Sequence, residues 1–167
     1  MHELAQRPPI QRLAPLAPVV LRVAVGGIMA LHGWQKLVDI GPAIFGQSMI
    51  ADIGLPVPEL LGWAVTLTEL VGGVLLVLGL LTRVSATLLA AVLIGAAILV
   101  KPDLGVIAPM GSMLPGAELD LALTAGAVGV MLLGPGKPSL DHVMGIERTV
   151  PALEAADHPK VERTVAA

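Results

Sequence analysis

The residue of this sequence best placed for chemistry is Glu69, a single carboxylate inside a long apolar segment. That segment, Leu60–Leu81, has about the 20 residues that a helix needs to cross the hydrocarbon core of a bilayer. A charge at that depth costs roughly 2.5–3.5 kcal/mol on insertion scales, so such residues usually face a partner or a cavity. At that depth, Glu69 can neither cap a helix end nor extend its side chain to the interface. We therefore expect it to be protonated, or paired with a cation such as Lys36 or His32.

Other ionisable residues are predicted to converge on the same half of the molecule. His32 and Lys36 are four residues apart and lie on one face of the first apolar helix. Glu118 and Asp120 open the last apolar helix, at the same end. Each of these four also has a structural interpretation. The two acids suit a first helical turn, Lys36 can reach to the interface, and His32 can be a hydrogen-bonded core histidine.

A second group of charged residues is predicted at the opposite end. Arg22 and Arg83 face the segment that contains Asp141. We interpret these three residues as structural ion pairs, with Asp141 as the natural counterion of both arginines.

The elements that position these residues are apolar helices. Hydrophobic residues make up 55% of the chain and charged residues 14%, whereas soluble domains have about 25% charged residues. The pattern predicts an all-α membrane protein, with four transmembrane helices in an antiparallel bundle at about 19–38, 60–81, 84–100 and 119–133. This domain covers 19–134, and the tails 1–18 and 135–167 flank it. Residues 39–58 read as a loop with a short interfacial helix, and 101–117 as a loop rich in proline and glycine.

Several classes of protein are excluded by composition. The chain has no cysteine, which rules out a disulfide framework, a Cys-x-x-Cys redox centre and a thiolate metal site. Of the four histidines, only His32 lies in an apolar span, so haem held between two intramembrane histidines is not expected. A net charge of −3 without a basic stretch does not indicate nucleic acid. No metal site or tightly bound cofactor is predicted.

The basic residues predict the orientation. With four spans, both termini and the Thr82-Arg83 link lie on one side, which holds eight of the ten basic residues; the other side holds Lys36 and Lys101. The positive-inside rule then places both termini in the cytoplasm. The first span carries no cleavage site and is interpreted as a retained helix, which predicts a multi-pass protein of the inner (plasma) membrane.

Three motifs in a fixed order resemble the DoxX family. They are Leu21-Arg22 followed by GGIMALHGWQKL, the run TELVGGVLLVLGLLTR that contains Glu69, and GPGKPSLD at Gly134–Asp141. The resemblance covers about Leu21–Asp141. It implies a four-helix inner-membrane protein of a family whose members are described as small subunits of a thiosulfate:quinone oxidoreductase, and as partners in membrane redox or detoxification complexes.

The first functional hypothesis is a membrane subunit of a quinone-linked redox or oxidative-stress complex, without a redox centre of its own. His32 and Glu69 would be its catalytic residues, as hydrogen-bond donor and proton carrier. His32, Lys36, Glu69 and Glu118 would form the quinone pocket, with Lys36 neutralising the intermediate anion. Its partners would be the bilayer and another protein subunit, in the membrane or the cytoplasm.

The alternative is a non-catalytic membrane scaffold or assembly factor, whose polar residues fix the helix register and present a surface to another protein. A quinone subunit should show a cavity that reaches Glu69 and His32 and opens sideways to the lipid. A scaffold should hold those groups in direct pairs with no free volume. Transport of a small solute is less favoured, because a transporter would be expected to show broken helices or an internal repeat.

Overall fold

The fold is described from a computed structural model that covers residues 9–112 and 115–146. Within these ranges the chain is helical, with no β-strand. After a 3₁₀ segment at Pro9–Leu16, α1 covers Ala17–Gln35 and continues as a π-helical turn at Lys36–Ile40. The remaining helices are α2 at Pro42–Phe45 with a π-turn at Gly46–Ile50, α3 at Pro58–Leu78, α4 at Thr82–Val100, α5 at Glu118–Leu133 and α6 at Leu140–Val143. We call the end where α3 begins the outer end, and the α3–α4 link the inner end.

Three helices are long and apolar enough to cross a membrane. They are Leu13–Ile40, Pro58–Leu78 and Thr82–Val100, close to the first three predicted spans. The fourth predicted span is α5, which has 16 residues. At about 1.5 Å per residue it is roughly 24 Å long, less than the ~30 Å of a bilayer core. The all-helical class is therefore confirmed, and the fourth crossing stays a prediction.

α1 and α3 approach so closely that their contact points must be glycine. A Cβ on Gly26 would lie 2.7 Å from the Gly73 carbonyl oxygen, and a Cβ on Gly33 would lie 2.7 Å from the Leu70 Cα. Small residues at helix crossings let backbones touch, and in lipid such packing supplies much of the association energy. Gly62, Thr66, Glu69 and Gly73 follow one another at three- and four-residue steps on one face of α3, and all four are buried.

α2 continues the path of α1 along α3. Gly33 meets Leu70, Pro42 and Gly46 meet Gly62, and Gly46 also meets Pro58. The residue numbers rise on one side while they fall on the other, so α1 and α2 together run antiparallel to the whole of α3. The break between them is at Gly41, whose φ of 86° suits glycine. Part of the segment expected to be a loop is therefore packed against the outer half of α3.

The core joins all four long helices. Met29, Leu76, Leu89 and Val130 are fully buried side chains contributed by α1, α3, α4 and α5 respectively. The other buried members of this cluster are Val25, Ala86, Ala90, Leu93, Leu123 and Ala127. The outward faces carry large exposed apolar side chains, which suits contact with lipid.

The inner end is closed by the segment after α5, which the sequence analysis assigned to the C-terminal tail. Asp141 is fully buried, and its carboxylate accepts hydrogen bonds from the Leu81 N–H (2.7 Å), the Thr82 N–H (2.9 Å) and the Thr82 hydroxyl (2.6 Å). These are free donors at the start of α4, so Asp141 caps that helix from a distant part of the chain. Residues 134–136, Ser139 and Asp141 are buried, whereas residues 142–146 are exposed. The rest of the predicted tail lies outside the described residues.

The two arginines predicted as partners of Asp141 also bond main-chain carbonyls at this end. Arg22 donates to the Val77 carbonyl (3.1 Å) and to the Pro138 carbonyl, and it is attracted electrostatically to Asp141. Arg83 donates to the Met131 carbonyl in the last turn of α5 (2.6 Å). A cation at a helix C-terminus is favoured by the helix dipole. Together, the contacts of Arg22, Arg83 and Asp141 connect α1, α3, α4 and α5 with the segment that contains Asp141.

Replacement of Gly33 by alanine should destabilise the protein. The added Cβ meets the backbone of Leu70, and overpacking of this kind typically costs about 1–3 kcal/mol. Gly27 is the matched control, because it lies in the same helix with nothing within 4 Å of its Cβ position. Thermal unfolding in mild detergent measures both variants; a G33A protein as stable as G27A would contradict the close packing.

Asp141→Ala should lower the free energy of unfolding by about 3 kcal/mol, because buried donors at the start of α4 lose a charged acceptor. His142→Ala, a change at the exposed neighbour of Asp141, should have little effect. Denaturant titration of helicity compares the two. Equal stability of D141A and H142A would show that the cap contributes little.

Candidate functional site

The centre of the candidate site is a buried ion pair between α1 and α3. Lys36 Nζ lies 2.5 Å from Glu69 Oε2, and the two side chains are only 16% and 7% exposed. Glu69 is about 16 Å along α3 from Pro58, at about 1.5 Å per residue. The carboxylate is thus paired with one of the two cations that the sequence predicts for it, at a depth where an unpaired charge would be costly.

The Lys36–Glu69 pair lies where α1 and α3 change from α-helical to π-helical geometry. Lys36 begins the π-helical turn of α1, and Glu69 lies in the π-helical turn Thr68–Gly72 of α3. Such turns are rare and are frequent at functional sites. The close contact at Gly33, one turn before Lys36, brings the backbones of α1 and α3 together. The Lys36 side chain therefore has only a short distance to cross to the Glu69 carboxylate.

Phe45 of α2 is a third member of the site. Its ring is buried, and Lys36 Nζ lies 5.2 Å from the ring centroid, within the range of a cation–π interaction. The sequence analysis did not include Phe45, because it follows α1 in a segment expected to be a loop. The signal that could have identified it is Gly41-Pro42, which ends α1 and starts a new helix at once.

His32 is one turn before Lys36 but faces away from the centre of the bundle. It is exposed, yet close enough to Glu69 for electrostatic attraction. His32 therefore lies at the surface of a membrane-spanning helix, whereas Glu69 lies in the interior. A molecule dissolved in lipid would meet the imidazole before the carboxylate.

A second buried ion pair joins α4 and α5. Lys101 Nζ lies 2.6 Å from Asp120 Oδ2, with side chains 17% and 13% exposed, and Lys101 also donates to the Gly116 carbonyl (3.2 Å). Asp120 is near enough to Glu69 for the two carboxylates to repel each other. We call Lys36, Glu69, Lys101 and Asp120 the charge quartet. Its members come from α1, α3, the end of α4 and α5, so every long helix supplies one.

Glu118, which the sequence analysis placed in the pocket, is exposed in the first turn of α5. Its main-chain N–H donates to the Val106 carbonyl (3.0 Å). Asp120, two residues later, is the acid that turns inward. The sequence signal for the Lys101–Asp120 pair was a lysine directly after one apolar span, followed by an acid in the first turn of the next.

The charge quartet has no net charge when all four groups are ionised, because it holds two carboxylates and two ammonium groups. Within residues 9–112 and 115–146, no three acids or histidines are grouped as a metal site would require. Carboxylates can in general take up and release protons, and ammonium groups can neutralise anions.

The Lys36–Glu69 pair can be tested by a double-mutant cycle. Lys36→Met and Glu69→Gln should each destabilise the protein by about 3–5 kcal/mol, because each leaves its partner buried and unpaired. The double variant should be destabilised by clearly less than the sum, and exposed Lys137→Met serves as the control. Denaturant unfolding in detergent gives the free energies; additive effects would mean that the two residues do not interact.

Comparisons with known proteins agree with this architecture. The DoxX family model matches residues 17–102. The chain is 32% identical over 138 residues to "Uncharacterized membrane protein Rv3486" of Mycobacterium tuberculosis, covering 76% of this chain and 80% of that protein. It is 35% identical over 127 residues to "Putative oxidoreductase CatD" of Bacillus subtilis, covering 75% of this chain and 85% of that protein.

No solved structure is a significant match to the chain. The family match includes Lys36, Glu69 and Lys101, three of the four members of the charge quartet, and ends before Asp120. The match to the family model and the similarity to both relatives show that this chain belongs to the DoxX family of membrane proteins.

Proposed function

We propose that this protein is the integral membrane subunit of a quinone-linked oxidoreductase complex, and that it supplies a proton-exchange site rather than a redox centre. The observation that carries the proposal is the placement of His32 and Glu69. His32 is exposed on the surface of a spanning helix. Glu69 is buried on the neighbouring helix, in a pair with Lys36, which follows His32 by one turn. The printed name of one relative, "Putative oxidoreductase CatD", is in line with the same class of chemistry.

The proposed mechanism begins at the lipid-facing surface. A quinone head group approaches from the bilayer, and His32 donates a hydrogen bond to one of its carbonyl oxygens. Reduction of a quinone to the quinol would need two electrons from a partner subunit and two protons. Glu69 would first take up a proton and leave its pair with Lys36, then give that proton to a quinone oxygen; a second uptake and transfer would supply the other proton.

Lys36 and Phe45 prepare the site for that step. The ammonium group would stabilise negative charge on a quinone that is being reduced, and the ring of Phe45 holds that group near the centre of the bundle. Lys101 and Asp120 would support the site as a second ion pair beside it. Glu118 lies at the outer end, where it would lead protons from water to the quartet.

The proposal includes the placement of the chain in the membrane. α5 forms the fourth crossing, and both termini lie in the cytoplasm, which follows from the eight basic residues on the inner side. The membrane is the inner (plasma) membrane. The subunit that supplies electrons contacts the chain from the membrane or from the cytoplasmic side.

A membrane scaffold is the second candidate function, and one observation favours it. Glu69 is held in a direct bond with Lys36, which is the arrangement expected of a pair that fixes helix register. In that case, the charge quartet holds four helices together and carries no reaction.

Quinone binding separates the two functions. His32→Ala should weaken binding of decylubiquinone by about tenfold, the value of one hydrogen bond of about 1.4 kcal/mol. Gln35→Ala is the matched control, because Gln35 is also exposed at the end of α1. Quenching of Trp34 and Trp63 fluorescence in detergent measures the affinity. Saturable binding weakened only in H32A supports the quinone function, whereas no saturable binding to the parent protein favours the scaffold.

A further inference from the structure

The loop between α4 and α5, residues 101–117, has an unusual composition for a segment outside a bundle. From Leu104 to Ala117 it contains no charged residue, between Asp103 and Glu118. Loops that face water are normally polar, because they cover no core. An uncharged stretch of this length indicates a non-aqueous surrounding.

The apolar side chains of this loop point outward. Ile107 is 80% exposed and Met110 is fully exposed, while Val106 lies beside them with more than half of its surface free. The last turn of α4, just before the loop in the chain, also exposes Ile98 and Leu99. That turn belongs to a helix apolar enough to span, so the chain enters the loop from a segment whose exposed side chains suit lipid.

The backbone of the loop is also suited to a medium poor in water. Its main chain bonds to itself from Ala117 N–H to the Gly105 carbonyl and from Glu118 N–H to the Val106 carbonyl, both 3.0 Å. Lys101 satisfies the Gly116 carbonyl. Three prolines (Pro102, Pro109 and Pro115) bring no N–H donor at all. These features reduce the cost of placing irregular backbone near hydrocarbon.

The base of the loop is fixed at the membrane by the second ion pair. Lys101 joins the end of α4 to Asp120 in the first turn of α5. Because α5 has only 16 residues, the start of α5 lies below the surface that a full-length span would reach. The loop above it therefore occupies the remaining depth of the outer leaflet.

We propose that residues 104–112 form a lipid-inserted cap, with Val106, Ile107 and Met110 in the boundary between head groups and acyl chains. The occupant of this surface is the bilayer itself rather than another protein. The cap covers the outer end of α4 and α5, next to the Lys101–Asp120 pair.

The absence of cysteine from the chain makes the test direct, because a single introduced cysteine can be labelled without background. Variants I107C and M110C would carry a bimane label in liposomes of phosphatidylcholine and phosphatidylglycerol. D103C is the matched control, an exposed polar position in the same loop. Lipids with a nitroxide near the head group, or near the acyl terminus, and aqueous iodide serve as quenchers.

At positions 107 and 110 we expect about twofold or more stronger quenching by the head-group nitroxide than at position 103, and weaker quenching by iodide. The nitroxide near the acyl terminus should act less than the one near the head group, because insertion is shallow. Labels quenched mainly by iodide would place the loop in water and overturn the proposal. Labels protected from both quenchers would place it against another protein copy, which overturns it equally. Circular dichroism of the labelled variants verifies that each is folded.

Discussion

The structure depends on one constraint: a carboxylate held inside lipid has to be neutralised by a neighbouring helix. Glu69 meets that constraint through Lys36, at 2.5 Å, and the pair sets the register between α1 and α3. The glycine contacts at Gly26 and Gly33 make the pairing possible, because they bring the two backbones together. The same rule governs Asp120, which is neutralised by Lys101 between α4 and α5. Paired charges therefore hold the outer half of the bundle where a soluble protein would use a continuous apolar core.

At the inner end, buried charged side chains are instead satisfied by hydrogen bonds to the backbone. Asp141 accepts from the first N–H groups of α4, and Arg22 and Arg83 donate to carbonyls near the ends of α3 and α5. These contacts satisfy helix termini that could not be satisfied by water at a packed junction. The two ends thus differ in character. The inner end is a closed junction of charges and helix caps, while the outer end places ionisable side chains within reach of the lipid-facing surface at His32.

Much of the candidate site could be read from residue types and spacing. Depth in an apolar segment marked Glu69, and the four-residue spacing of His32 and Lys36 marked the candidate cation. Three features could not be read in the same way. Phe45 reaches Lys36 only because the chain breaks at Gly41 and returns along α3. Asp120 rather than Glu118 turns inward, which depends on the rotation of α5. Residues Gly134–Asp141 pack under the helices because Asp141 finds free donors 60 residues away, at the start of α4.

By itself, the sequence determined the class of the protein, the apolar helices and the need for a partner to Glu69. These follow from local quantities: hydropathy over a window, the period of a helix and the cost of a charge in hydrocarbon. Only the tertiary structure decided which cation serves as that partner, that two ion pairs come together, and that α1 and α2 form one broken path along α3. Such choices depend on the distance and rotation between helices that are far apart in the chain. Local sequence carries no measure of either.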